Sequence, residues 1–252
     1  MLIELDNKSR ASLRRLFENY PCCHGSVAAF VDGGMGRVFA NSKENPCVAL
    51  VVMDFQFLAG DPFHECVPAL LQLLRTKEWL IVPTSDWQNV ISTTYTGRLD
   101  VYQREAFRAE QFDVNKLNEF LSILPDGFEL HKITSENVTQ FAQLSPSLIA
   151  SYSSPEKFVE KGIGLGIFHQ DRFVSGASSS PLAGGKLEFE IQTHQQFRRR
   201  GLARTVAPAL ILHCLEYGLE PCWDAANEAS SSLAKQLGFY STGKYDAFWL
   251  PE

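Results

Sequence analysis

The sequence predicts a two-domain α/β (α+β) protein. Three observations carry that reading. Apolar residues recur with a period of two in some stretches and at helical spacing in others, so strands and helices interleave along the chain. A sharp turn, Pro125-Asp126-Gly127, stops a helix near the midpoint and divides the chain into domains 1–125 and 126–252. The stretch 186–203, KLEFEIQTHQQFRRRGLA, reads as a strand, a basic turn and the start of a helix.

In the first domain, residues 7–20 read as a helix, capped by Ser9, with Leu13, Leu16 and Phe17 on one face and Pro21 after its end. Residues 27–31 form a short apolar run with the character of a strand. The glycines of Asp32-Gly33-Gly34-Met35-Gly36 fit a hairpin turn better than a phosphate loop, because a strand-like segment, 37–40, follows and no helix opens. A turn at 41–46 leads into one long apolar strand, 48–57, which Ala59-Gly60-Asp61-Pro62 ends. Then come a helix at 64–75, a buried strand at 79–82, a helix capped by Thr84 or Ser85, and a strand at 98–107. A helix at 112–124, capped by Asp113, closes the domain.

The second domain opens with a strand at 128–133 and a capped helix at 134–144. Residues 145–154 are polar and turn-rich, with Ile149 and Tyr152 as anchors, and Pro155 starts a short helix to Lys161. The glycines of 162–166 enter a strand and open no helix, so they indicate close backbone packing. A strand at 172–179 carries Gly176, and a hairpin at 181–185 delivers the chain to its central strand. There Leu187, Phe189 and Ile191 alternate with Glu188, Glu190 and Gln192. Arg198, Arg199, Arg200 and Gly201 follow, then a helix through Leu202, Val206, Leu210, Ile211 and Leu215, and a short strand at 221–226.

A strand, a basic glycine-containing turn and a helix start make an anion site. The free N–H groups and the dipole of the helix favour negative charge, and the arginines add forks that match phosphate oxygens. Gly201 lets a backbone approach a phosphate closely. The spacing Arg198-x-x-Gly201-x-Ala203 resembles the Q/R-x-x-G-x-G/A signature of the GNAT superfamily of acyl-CoA N-acyltransferases. Asn227, Leu233, Leu237, Gly238 and Phe239 are similar to that family's later N…L…GF pattern. The resemblance covers 128–252 and implies a GNAT-like fold there, with a mixed, mostly antiparallel central sheet. It also implies acetyl-CoA as co-substrate and no metal. The turn Arg198, Arg199, Arg200, Gly201, Leu202 and Ala203 would cradle the pyrophosphate, the backbone of Ile191 and Thr193 would pair with the pantetheine arm, and Asn227 would touch the cofactor while capping a helix. The order of elements in the first domain resembles the latter part of the same fold, but Gly60-Asp61-Pro62-Phe63 stands where a basic turn is needed. A degenerate GNAT-like copy is one reading; an unrelated α+β domain that walls the acceptor pocket is the other.

Acyl transfer to an amine needs a base, an oxyanion donor and a proton for the leaving thiolate. Glu190 and then Glu188 are the candidate bases, because the family places a glutamate on this strand; the bland reading is two solvated residues on a polar face. His194 is a weaker candidate. Many members carry a tyrosine after the leucine of the N…L…GF pattern, but here Leu233 is followed by Ala234. Tyr240 and Tyr245, just downstream, are the candidates to substitute as acid, although each reads better as a packing residue near the C-terminal strands.

Composition excludes other classes. A net charge of −6 without a sustained basic face argues against a nucleic-acid binder, and no apolar run is long enough to span a membrane. The six cysteines show no C-x-x-C spacing and read as free thiols, and Cys22-Cys23-His24 has adjacent side chains pointing apart rather than toward one metal. With no basic start and apolar core like those of a signal peptide, a cytoplasmic protein is expected. The sequence therefore leads to an N-acetyltransferase moving an acetyl group from acetyl-CoA to a primary amine of a small molecule or peptide, with the oligomeric state, homodimer included, left open. The alternative, motivated by Ala234, is a non-catalytic acyl-CoA-binding or regulatory protein.

Overall fold

The computed structural model describes residues 2–97 and 99–252. The first half runs β1 (Ile3–Glu4), α1 (Arg14–Phe17), α2 (His24–Val31), β2 (Arg37–Ala40), β3 (Val48–Val52), β4 (Phe55–Gly60), α3 (Val67–Leu71), β5 (Glu78–Ile81), α4 (Ser85–Thr94) and β6 (Asp100–Arg108). A linking helix, α5 (Val114–Ser122), follows. The second half runs β7 (Phe128–Lys132), α6 (Val138–Leu144), α7 (Pro155–Lys161), β8 (Gly164–His169), β9 (Arg172–Ala183), β10 (Lys186–Thr193), α8 (Leu202–Glu216), β11 (Glu220–Ala225), α9 (Glu228–Leu237) and β12 (Tyr240–Leu250). Among the described residues no helix is long and apolar enough to cross a membrane.

Local chemistry explains most starts and stops. The side chains of Thr84, Asp113, Ser154 and Asn227 each accept a backbone N–H three residues on, capping α4, α5, α7 and α9. Several expectations need correction. Residues 27–31 belong to helix α2, because a run of five apolar residues suits a buried helix as well as a buried strand, and Ala28–Val31 are buried here. The expected strand 48–57 is a hairpin: β3 turns at Met53-Asp54 and returns as β4, in register from Val48↔Gly60 to Val52↔Gln56. Both of its strands are buried on both faces, so no alternation marks the reversal. The expected helix 7–20 shrinks to a 3-10 turn, Arg10–Leu13, plus α1; Ser9 does not cap it, since its hydroxyl and N–H both go to Asp6 Oδ1. The expected helix 64–75 is only Val67–Leu71. Of the strand expected at 98–107, Arg98 lies outside the described residues and the strand is Asp100–Arg108.

The strands of the described residues form one sheet in the order β1-β2-β3-β4-β5-β12-β6-β11-β10-β9-β8-β7. Adding six to each label of the first half reproduces the second half read from the other edge. The pairings repeat as well. β3–β4 and β9–β10 are antiparallel, and β4–β5 and β10–β11 are parallel. Helices α3 and α8 cross between equivalent strands, as do α4 and α9. The halves are two copies of one topology that exchange their last strands: β6 pairs with β11 of the second half, and β12 pairs with β5 of the first. The two exchanged strands pair with each other along most of their length, from Tyr240↔Arg108 to Trp249↔Asp100.

The copies differ where β4 and β5 separate. Trp87 and Ser230 are both the third residue of a capped helix, but the Trp87 indole is fully buried and donates Nε1–H to the carbonyl of Gly60, the last residue of β4. In the second half the corresponding region stays open.

Candidate active site

β10 and β11 pair only from Lys186↔Glu220 to Glu188↔Cys222; β11 then pairs with β6 through Trp223, Asp224 and Ala225. The side of β10 facing β11 therefore loses its strand partner beyond Glu188, an edge that an extended ligand can pair with. A cavity of about 660 Å³ fills this splay and runs between the two halves.

One end is built for an anion. Gly201 sits at φ +81°, which an L side chain adopts only with strain, and opens the long helix α8. No acidic residue occupies the first turn of α8, and Arg198, Arg199 and Arg200 are exposed around it. Arg198 Nε donates to the Thr193 carbonyl at 3.1 Å, tying the turn to the end of β10, and Arg200 lies over the Phe197 ring. Ile191, Thr193, Arg198, Ala203, Asn227 and Ser230 line this end of the cavity. The Leu202 side chain is buried in the core and does not line the cavity. Asn227 spends its Oδ1 on the N–H of Ser230 at 3.0 Å. This donor set suits the phosphates of a nucleotide-bearing thioester such as acetyl-CoA.

The other end is acidic. Glu188 sits at an irregularity in the β9–β10 pairing, is 7% exposed, and lines the cavity. Its Oε2 accepts the Gly25 N–H at 3.0 Å, while Oε1 is buried without a hydrogen-bond partner. Burial, and then the Asp224 carboxylate, push the Glu188 carboxyl up to about 8; the Gly25 N–H and Arg104 act in the opposite direction. Gly25 is needed for that approach, because a Cβ there would lie 2.9 Å from the backbone nitrogen of Glu188. Glu190, two residues on, is half-buried and accepts the Ser147 hydroxyl at 2.7 Å and Gln192 Nε2–H at 2.8 Å.

Behind Glu188 stands a polar knot built from both halves. Arg104 Nε donates to Asp224 Oδ1 at 2.7 Å, and the Tyr245 hydroxyl donates to Asp224 Oδ2 at 2.7 Å. Cys23 Sγ lies 3.7 Å from the same Oδ2. Ligand atoms of Cys22, Cys23 and Asp224 fall within 4.8 Å of one another, yet the guanidinium of Arg104 already supplies the cation that Asp224 faces.

The family model for GNAT acetyltransferase matches residues 15–248. The chain belongs to the GNAT acetyltransferase family. The match reaches far into the first half, beyond the 128–252 span that the motifs carry. An uncharacterized N-acetyltransferase of Bacillus subtilis (strain 168), YdfB, is 27% identical over 99% of this chain and 98% of its own length. A GCN5-related N-acetyltransferase-like protein from Streptococcus suis 89/1591 is 29% identical in sequence, with a TM-score of 0.86 over 96% of this chain and 98% of that one. A tandem GNAT protein from the clavulanic acid biosynthesis pathway shares the fold at a TM-score of 0.64 and 12% identity, covering 98% of this chain and 97% of that one. The tandem GNAT topology of the sheet has a counterpart there.

Within this GNAT architecture Ile191, Thr193, Arg198, Ala203 and Asn227 of the cofactor candidates line the cavity together with Glu188 and Glu190, whereas Arg199, Arg200, Gly201 and Leu202 do not line it. Tyr240 stands apart: it is exposed, its hydroxyl is 3.5 Å from Glu110, and it does not line the cavity. Tyr245 is half-buried against Asp224, and desolvation there pushes its phenol well above the usual range. Sequence reasoning missed Arg104, Asp224, Cys23 and Asp54. Three of these four come from the first half, and they reach the site through the strand exchange, α2 and the β3–β4 turn, none of which periodicity reveals.

Proposed function

We propose that the protein is an acetyl-CoA-dependent N-acetyltransferase acting on a primary amine of a small molecule or peptide, with Glu188 as general base. The observation that carries this reading is a single cavity lined both by Arg198 and Ala203 of the arginine turn and by Glu188, whose Oε1 is buried without a hydrogen-bond partner. Acetyl-CoA supplies the activated acetyl thioester when bound. The α8 start and its arginines hold the phosphates, and the free side of β10 orients the arm through Ile191 and Thr193. Glu188 Oε1 takes the proton of the incoming amine, while the Gly25 N–H holds Oε2 and fixes the rotamer. A carboxyl near 8 is well matched to proton transfer at neutral to mildly alkaline pH. The two halves, 1–125 and 126–252, are proposed as GNAT-like copies of which only the second binds CoA.

Ala234, fully buried where many GNAT members carry a tyrosine, favours a second reading, acyl-CoA binding without turnover. Release of free CoA, followed with acetyl-CoA and a panel of amines, separates the two. Calorimetric binding of acetyl-CoA with no release for any amine supports the second reading and overturns the first.

A further inference from the structure

We infer that the acceptor carries two cationic groups: the amine that enters beside Glu188, and a second one held where Asp54 and Glu190 face the same cavity. The inference rests on the acetyl-transfer reading and names its acceptor class. Asp54, Glu188 and Glu190 all line the cavity, and among the described residues none of them takes part in an ion pair. The arginine at this end, Arg104, is committed to Asp224 at 2.7 Å. Asp54 and Glu190 therefore face the cavity without an ion-pair partner among the described residues, beside the buried Glu188 carboxyl. The second, independent sign of a ligand is Glu188 itself, which is 7% exposed, lines the cavity and has Oε1 buried without a hydrogen-bond partner.

The two outer carboxylates are also built into place. A segment of the second half carries Ser147 and Ser151, one turn of chain apart. Ser147 donates to Glu190 Oε1, and Ser151 donates to Asp54 Oδ2 while contacting the Ser180 hydroxyl at 2.9 Å. Each hydroxyl fixes its carboxylate through one oxygen and leaves the other, Glu190 Oε2 and Asp54 Oδ1, without a protein donor among the described residues. Asp54 reaches this segment from the β3–β4 turn of the first half, so the second cation is read across the junction of the copies. An acceptor with a lone amine satisfies Glu188 and leaves this outer pair uncompensated.

The test compares matched acceptors. α,ω-Diaminoalkanes from diaminopropane to diaminooctane are set against n-alkylamines of the same length, and lysine amide against norleucine amide. Free-CoA release gives kcat/KM, and calorimetry gives binding, for the wild type and for Asp54→Asn. A charge-assisted contact predicts that at least one two-cation compound outranks its partner by about 10- to 100-fold. Asp54→Asn, an exposed position on a turn, should cut that ratio to below about threefold. Equal kcat/KM within every pair, or a preference that survives Asp54→Asn, overturns the inference; turnover in those cases leaves acetyl transfer standing. Asp54-dependent binding of two-cation compounds without any CoA release overturns the acetyl-transfer reading and, with it, their assignment as acceptors.

Discussion

Glu188 is pulled in two directions: burial and Asp224 favour its neutral form, while the Gly25 N–H and Arg104 favour the carboxylate. As a general base it has two measurable signatures. Glu188→Gln should lower kcat by about 100- to 10,000-fold and leave acetyl-CoA affinity nearly intact, because the carboxyl acts on the amine. The wild-type kcat/KM should rise with pH through about 8, a rise the variant lacks. A variant that keeps both rate and profile would move the base elsewhere, to Glu190 or to water. The same shift has a stability consequence. The folded-state value is raised above its unfolded one, so Glu188's contribution is fully present below pH about 4.5 and is lost as pH rises through about 8. Between those limits the native state holds a proton that the unfolded chain has released, at about 1.4 kcal/mol per pH unit. Glu188→Gln should therefore unfold at a higher temperature than the wild type at pH 8, and the gap should shrink toward pH 4.5. Melting curves whose difference does not depend on pH would show that the carboxyl ionises normally in the fold.

At the scale of elements, the strand-turn-helix at 186–216 was legible because its chemistry is local: alternation, then arginines, then a glycine that opens a helix. Replacing Gly201 by valine forces a β-branched residue to φ +81°, at a cost of about 1–2 kcal/mol for the left-handed conformation. It also places side-chain bulk where a phosphate must approach. CoA affinity should fall by at least about tenfold, as one displaced charge-assisted contact implies; unchanged calorimetric affinity in a folded variant would remove the anchor from this turn. Helix α2 and the β3–β4 hairpin were not legible, since the apolar runs at 27–31 and 48–52 carry no period to read. Trp87 was likewise silent in sequence. Its indole fills, in the first copy, the region that Ser230 leaves open in the second, and the loop before α3 carries Asp61 in place of arginines. The first copy should therefore bind no CoA, giving one CoA per chain at saturation. Trp87→Ala should destabilise the fold by about 3–5 kcal/mol through the cavity it leaves. Two CoA per wild-type chain, or a near-neutral Trp87→Ala, would show that the indole does not fill the slot.

At the scale of the molecule, the proposed boundary near residue 125 does not divide the sheet. Repeated topology was visible in part as a similar order of elements; the exchange of β6 and β12 was not, because pairings such as Tyr245↔Arg104 join residues far apart in sequence and leave no local trace. That exchange is also why the site escaped a reading confined to the second half: Arg104 rides on β6, and Cys23 and Gly25 on the start of α2. It makes a further prediction. A fragment of residues 126–252 keeps the signature turn and the glutamates but loses β6, the strand between β11 and β12. Phe107, buried on that strand, leaves with it, and Trp223 and Phe239 of the same core cluster lose cover. A fragment of 1–125 correspondingly loses β12, and with it Ala247, Phe248 and Leu250 from its core. Each fragment then has unpaired strand edges next to exposed apolar surface, the condition that favours aggregation. Expressed separately, both should be insoluble or molten, with broad amide spectra and no cooperative melt. Expressed together, they should copurify as a one-to-one complex, because every strand regains its partner, and the complex should recover acetyl-CoA binding. A soluble, cooperatively folded 126–252 fragment that binds acetyl-CoA alone would mean that the second copy supplies its own closing strand, and that the exchanged pairing does not hold the molecule together.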